Sequence, residues 1–373
     1  LGVFDNRKEW GMQRRAPWLR ILCGWLLTAW MAAAPAAGPN YSTDLNDVAA
    51  LHSPLTAILP APVAQAVAQP GQLSAPAGPA PRVAVLLPAS GPLADAGQVL
   101  RQGIEAAWKV DADAELAWYD TEADNVRAQY QRALDDGASV VIGPLAREAV
   151  AELASIASVP TLALNTVSGS AAPTLYAFHL AVESEGAQMA LAMHRAGHLF
   201  PLLVVGADPL SQRLAQGWRA AWTDIHGRSP RWVVQWPAER ARLNELATQA
   251  DAVVLAVPGR DWPALHPLLS ALPAYAAASL SDFARPQLAW PGVVQLDMPW
   301  LLSPQAAPAA RYPRPAEPLT LATERLYAQG IDAFRLARRL AGRDTPGLTL
   351  DGVTGWLSLR GREVQRSLRA VDE

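Results

Sequence analysis

Residues 83–87, Val-Ala-Val-Leu-Leu, form an unbroken apolar run that stops at Pro88. A small turn, Ser90-Gly91-Pro92, follows, and a pattern of helical period begins near residue 93. The same alternation repeats. Apolar runs at 116–119, 139–142 and 161–165 are each short, and helical patterns near 93–109, 123–136 and 146–157 separate them. Short runs without polar alternation mark strands buried on both faces, as in a parallel sheet crossed by helices. A second set follows: runs at 202–206, 232–236 and 252–257, with helical patterns near 210–226, 239–249 and 261–271. Two sets of this kind predict two α/β lobes. A long amphipathic helix is expected near 320–341. The segments 354–359 and 363–370 read as a closing hairpin around Arg360-Gly361-Arg362.

The first 81 residues break the alternation. From Met12, the arginines 14, 15 and 20 precede the apolar stretch Ile-Leu-Cys-Gly-Trp-Leu-Leu-Thr-Ala-Trp-Met, and Ala34-Pro35-Ala36 follows. Charged, apolar and small-residue zones in that order describe a secretory signal. Residues 1–36 are therefore read as a non-native start plus a signal peptide cleaved after Ala36. Residues 37–81, rich in Pro and Ala, are read as a disordered linker. Cys23, the single cysteine, lies early in the apolar run and follows Leu22, so it is expected to leave with the signal rather than to carry a lipid. The expected compartment is the periplasm, with membrane contact only through an uncleaved signal.

Composition narrows the function classes. Of 373 residues 51% are hydrophobic, which supplies a large core, and the net charge of −3 argues against nucleic-acid binding. Lysine is confined to Lys8 and Lys109. No P-loop, G-x-S-x-G, H-E-x-x-H or G-x-G-x-x-G occurs, so neither a catalytic residue nor a cofactor is expected. His194 and His198 stand four apart but have no acidic residue at metal-site spacing. Asp120, Glu122 and Asp124 read as ordinary partners of a helix N-terminus. Trp218 and Trp222 share a helix face and read as core.

In open parallel sheets, ligands sit at the carboxyl ends of the strands. Three such ends supply candidates: Ser90 and Gly91, Gly143 and Pro144, and Asn165 and Thr166. Backbone N–H groups and small side chains there suit a small polar ligand. The same residue types are also ordinary turn and cap residues. Glu183, with Glu185 close by, is a candidate partner for an ammonium group near the first lobe crossing. Arg335, Arg338, Arg339 and Arg343 cluster on the late helix, as a docking face for an acidic partner or as a solvated face.

The segment Arg-Val-Ala-Val-Leu-Leu-Pro-Ala-Ser-Gly-Pro-Leu (82–93) resembles the opening of type I periplasmic binding-protein folds, as does Val140–Ala154. Asp297-Met-Pro-Trp-Leu-Leu302, Gly330-Ile-Asp-Ala-Phe-Arg-Leu-Ala337 and Thr354-Gly-Trp-Leu-Ser-Leu359 are closer to the penicillin-binding-protein activators of the LppC/LpoA type. The resemblance covers about residues 82–370 and implies an α/β fold of two lobes with parallel sheets flanked by helices. Residues 82–181 and 298–350 would form lobe one, and 182–297 and 351–373 lobe two. It implies a non-enzymatic regulator that binds a class A penicillin-binding protein, the bifunctional peptidoglycan synthase. Family members are usually lipoproteins, and the longer ones carry a helical-repeat amino-terminal domain where the Pro/Ala-rich segment stands here. The competing reading is a solute receptor of an ABC transporter, holding an amino acid or similar polar ligand in the cleft.

Overall fold

The computed structural model describes residues 80–111, 113–122, 124–277, 292–316, 319–342 and 347–370. The expected signal, nearly all of the expected linker and Arg343 lie outside these residues.

The first strand, β1 (Arg82–Leu87), places Val83, Val85 and Leu87 on one face and Ala84 and Leu86 on the other, all buried. A strand buried on both faces must be central, and β1 lies between β2 (Glu115–Asp120) and β3 (Val140–Ile142), parallel to both. Next come β4 (Thr161–Ala163) and β5 (Leu175–Ala177), also parallel. The carboxyl ends of these five strands therefore share one edge. Helix α1 (Ala94–Asp111) covers one face together with the late helix. Helices α2 (Val126–Asp135) and α3 (Arg147–Leu153) cover the other.

The chain then crosses to a second layer through α4 (Val182–Arg195). Strands β6 (Pro201–Gly206), β7 (Trp232–Trp236), β8 (Ala252–Ala256), β9 (Ala274–Ala276) and β10 (Val293–Asp297) form a parallel sheet in the order β10-β9-β8-β6-β7. Helix α5 (Pro209–His226) joins α4 on one face. Asp208 caps α5 by accepting from the Ser211 N–H at 3.0 Å, with Pro209 opening the helix. Helices α6 (Leu243–Ala247) and α7 (Trp262–Leu269) cover the far face. Trp218 and Trp222 stack in this core with ring centroids 5.2 Å apart.

After α8 (Pro299–Leu302) and α9 (Leu321–Ala341) the chain forms β11 (Thr349–Gly352), β12 (Gly355–Arg360) and β13 (Glu363–Ser367). The expectation that residues 351–373 join lobe two is corrected here. β13 lies parallel beside β5, and β11, β12 and β13 complete the first sheet as its outer strands. Leu350, Leu357 and Val364 are the reason: they extend the core that α9 covers. Only the two-residue β14 (Arg369–Ala370) reaches the second sheet, antiparallel to β10. The hairpin turn falls at Gly361-Arg362, and Gly361 has φ +60° as such a turn requires.

Each layer contains one helix pair packed backbone to backbone. A Cβ at Gly103 of α1 would lie 2.0 Å from the Tyr327 carbonyl oxygen of α9, and one at Gly330 would lie 2.3 Å from that of Leu100. In the second layer, a Cβ at Gly217 of α5 would lie 2.1 Å from the Glu183 carbonyl oxygen, and one at Gly186 would lie 2.3 Å from that of Leu214. A methyl group at any of these positions must push two helices apart, and overpacking of that kind costs about 1–3 kcal/mol. Gly103→Ala is expected to lower the urea midpoint accordingly. Gly342→Ala, at the open end of α9 where φ is −72°, is expected to be neutral or slightly stabilising.

Candidate functional site

The parallel register brings the three predicted strand-end turns to one edge, but most of their side-chain polar groups are already used. Asp120, at the end of β2, accepts from the Ala89 N–H at 2.7 Å and from the Ser90 hydroxyl at 2.9 Å. It ties down the β1 turn rather than serving the next helix, which corrects the dipole-partner expectation. Gly91 has φ +72°, and a Cβ there would meet Glu122 Oε1 at 2.2 Å. Gly143 has φ +97°, and a Cβ there would meet the Leu86 carbonyl oxygen at 2.1 Å, so a glycine is required where β3 leaves the sheet against β1. The Pro144 carbonyl accepts from the Leu164 N–H at 3.0 Å. Asn165 donates to the Leu145 carbonyl at 2.9 Å and accepts from the Thr166 N–H at 2.8 Å. Glu183 forms a two-pronged pair with Arg213 of α5, at 2.6 and 2.9 Å. That guanidinium holds Glu183 below the usual carboxylate range.

A cluster of buried and part-buried polar groups lies where the chain crosses between the sheets. Glu185 of α4 accepts from Arg366 of β13 at 2.6 Å, and both side chains are nearly fully buried. Arg325 of α9 stands 4.0 Å from Glu185 and pairs with the buried Asp297 at the end of β10. Gln188 of α4 donates to the Arg366 carbonyl at 3.0 Å and accepts from the Leu368 N–H at 2.6 Å. Gln329 of α9 donates to the Phe178 carbonyl at 2.9 Å. The crossing near residue 178 is thus held by the Gln329 amide, the one near 298 by the Asp297–Arg325 pair, and the one near 368 by Gln188 and the Glu185–Arg366 pair.

A family model described as "LppC putative lipoprotein" matches residues 72–231 and 267–371. The chain belongs to the LppC family. It is 26% identical over 337 residues to "Penicillin-binding protein activator LpoA" of Photobacterium profundum, covering 77% of this chain and 54% of that relative. A solved structure from Chromobacterium violaceum, described as "a putative branched-chain amino acid ABC transporter", is 45% identical with TM-score 0.73, covering 78% of this chain and 99% of that one. The LpoA C-domain of Haemophilus influenzae, described as a regulator of PBP1A, shares the fold with TM-score 0.61 at 23% identity, over 77% of this chain and 95% of that one. The LppC chain spans about half the length of the curated relatives it matches.

The arginines predicted as the docking face of this LppC-family chain are placed differently. Arg335 turns back to Asp332 at 2.9 Å, and Arg338 pairs with Asp113 and lies 3.6 Å from Asp111. Their side chains are 14% and 20% exposed, because α9 is buried on most of its circumference. Arg339 alone of the three is exposed. Asp332 is fully buried and accepts from the N–H groups of Val353 and Thr354 and from the Thr354 hydroxyl, fixing the start of β12 to α9. Burial pushes its carboxyl upward from the usual range.

His194 and His198 point to different neighbours: His198 to the Tyr275 hydroxyl at 3.1 Å, His194 to the ring of His226. Among the described residues no group of three His, Cys, Asp or Glu side chains could hold a metal ion, and no helix is long and apolar enough to cross a membrane. Sequence reading missed Arg325, Arg366 and Asp297. Their only signal was charge inside the segments that cross between lobes.

Removing one member of a buried ion pair strands the other in a low-dielectric interior, at about 3–5 kcal/mol. Glu185→Ala is expected to lose that much in chemical denaturation. A Glu185→Leu/Arg366→Met double variant is expected to lose less than the sum of its single variants. Glu183 behaves differently because it is partly exposed. Its depressed pKa means that its contribution is present above about pH 4.5 and disappears as the pH falls through the folded-state value. Glu183→Gln is expected to cost at most about 1 kcal/mol at pH 7, and progressively less as the pH falls below about 4.5, in paired denaturation curves.

Proposed function

We propose that this chain is a non-enzymatic regulator of cell-wall synthesis in the periplasm that binds and stimulates a class A penicillin-binding protein, the bifunctional peptidoglycan synthase. The observation that carries the reading is the family match across both sheets, together with relatives named as penicillin-binding protein activators. The strand ends add support. Their side chains bond to the chain itself instead of aligning as nucleophile and base. The regulator acts by binding the active state of the synthase more tightly than the inactive one, and such coupling needs no chemistry in the regulator. The signal-like segment from Met12 supports export.

The test uses purified synthases from the same organism. Added chain is expected to raise glycan polymerisation and cross-linking to a plateau as its concentration increases. Absence of both binding and stimulation overturns the reading.

The Chromobacterium violaceum relative favours a second reading, a receptor for a small amino acid. Under that reading leucine, isoleucine or valine at a hundredfold excess over Kd would stabilise the chain by about 2.7 kcal/mol in a thermal-shift experiment. Under the regulator reading the melting temperature does not move.

A further inference from the structure

One strand-end turn differs from the others. The loop after β4 and the end of β5 meet the β12–β13 turn around an open cavity of about 340 Å³, lined in part by Thr166, His179, Arg360, Arg362 and Glu363. That volume lies at the lower end of small-molecule sites, ~300–1,000 Å³. It is large for a lone ion and suits a short organic molecule. Val167 and Ala177 supply an apolar part of the lining.

The charges in this cavity are not balanced internally. Arg362 is a fixed wall, because its guanidinium donates to the carbonyl oxygens of Ala171 and Ala172. Glu363 is engaged by His179 Nε2 at 3.2 Å. Arg360 makes no hydrogen bond or ion pair with any described residue, unlike Arg213, Arg325, Arg335, Arg338 and Arg366. Among the described residues the Thr166 hydroxyl likewise has no partner, and His179 Nδ1 is shut from solvent without one. Two guanidinium groups face one carboxylate, so the cavity carries an excess of positive charge. A guanidinium fork matches a carboxylate with two parallel hydrogen bonds.

We propose that this cavity binds a short carboxylate-bearing ligand, its carboxylate held by Arg360 and its second polar group by the Thr166 hydroxyl, with its aliphatic part against Val167 and Ala177. A peptide's terminal carboxylate and a free organic acid present the same chemistry. The assignment is independent of the synthase reading, because it concerns direct binding to this chain alone.

The test is isothermal titration of the full chain with two probes, N-acetyl-D-alanyl-D-alanine and succinate. The methyl ester of the dipeptide serves as a carboxylate-blocked control. Saturable 1:1 binding of at least one acid is expected, and which acid binds identifies the source. Arg360→Gln, at the exposed last residue of β12, is expected to weaken binding at least tenfold with an unchanged melting temperature. Thr166→Val is expected to weaken it several-fold. Arg339→Gln, on an exposed face of α9, leaves it unchanged. Three results overturn the proposal: no saturable binding of either acid, equal binding of the methyl ester, or undiminished binding by Arg360→Gln.

Discussion

Glu185, Arg366, Arg325 and Asp297 form an alternating chain of buried charges across the crossings between the two sheets. Each comes from a different element: α4, β13, α9 and the end of β10. None of these groups can be buried alone, because an unpaired charge in the interior costs several kcal/mol. The four elements must therefore arrive together. Gln188 and Gln329 extend the constraint to the backbone of the crossings. Buried pairs add little net stability over apolar packing, but they penalise any arrangement that separates their members. This cluster therefore disfavours any relation of the two sheets that would separate its members.

The helices on either side of the cluster are placed by contact between backbones. Gly103 and Gly330 let α1 and α9 touch, and Gly186 and Gly217 do the same for α4 and α5. Glu183 and Glu185 both precede Gly186 within one turn of α4, so the approach of α5 and the pairing of Glu183 and Glu185 share that turn. On α9, Arg325 and Asp332 sit on either side of Gly330. Packing and charge pairing thus act on the same segments, and a shift of either helix pair would displace the ionic groups it carries.

At the strand ends the fold keeps the geometry of a ligand cleft while satisfying much of it from within. Asp120 occupies the β1 turn, and Asn165 closes on its own loop. At the far side, the hairpin brings Arg360 beside Thr166 and His179. That juxtaposition exists because β13 pairs with β5.

The sequence by itself determined the alternation of strands and helices through the central part of each sheet. Apolar runs such as 83–87 and 252–257 can only be strands buried on both faces, and the helices between them follow from period and length. It also located the strand-end turns, because Gly, Pro, Ser and Asn punctuate a chain locally. Strands β5, β9 and β10 were not legible in the sequence. The home of the hairpin was decided only in three dimensions, by which core could bury Leu350, Leu357 and Val364. The same holds for the arginines. Position along a helix told which residues share its surface, but not that α9 would be enclosed and that Arg335 and Arg338 would turn to Asp332, Asp111 and Asp113. Local pattern is written in nearest neighbours, whereas the partner of a charge is chosen by whatever the folded chain brings within a few ångströms of it.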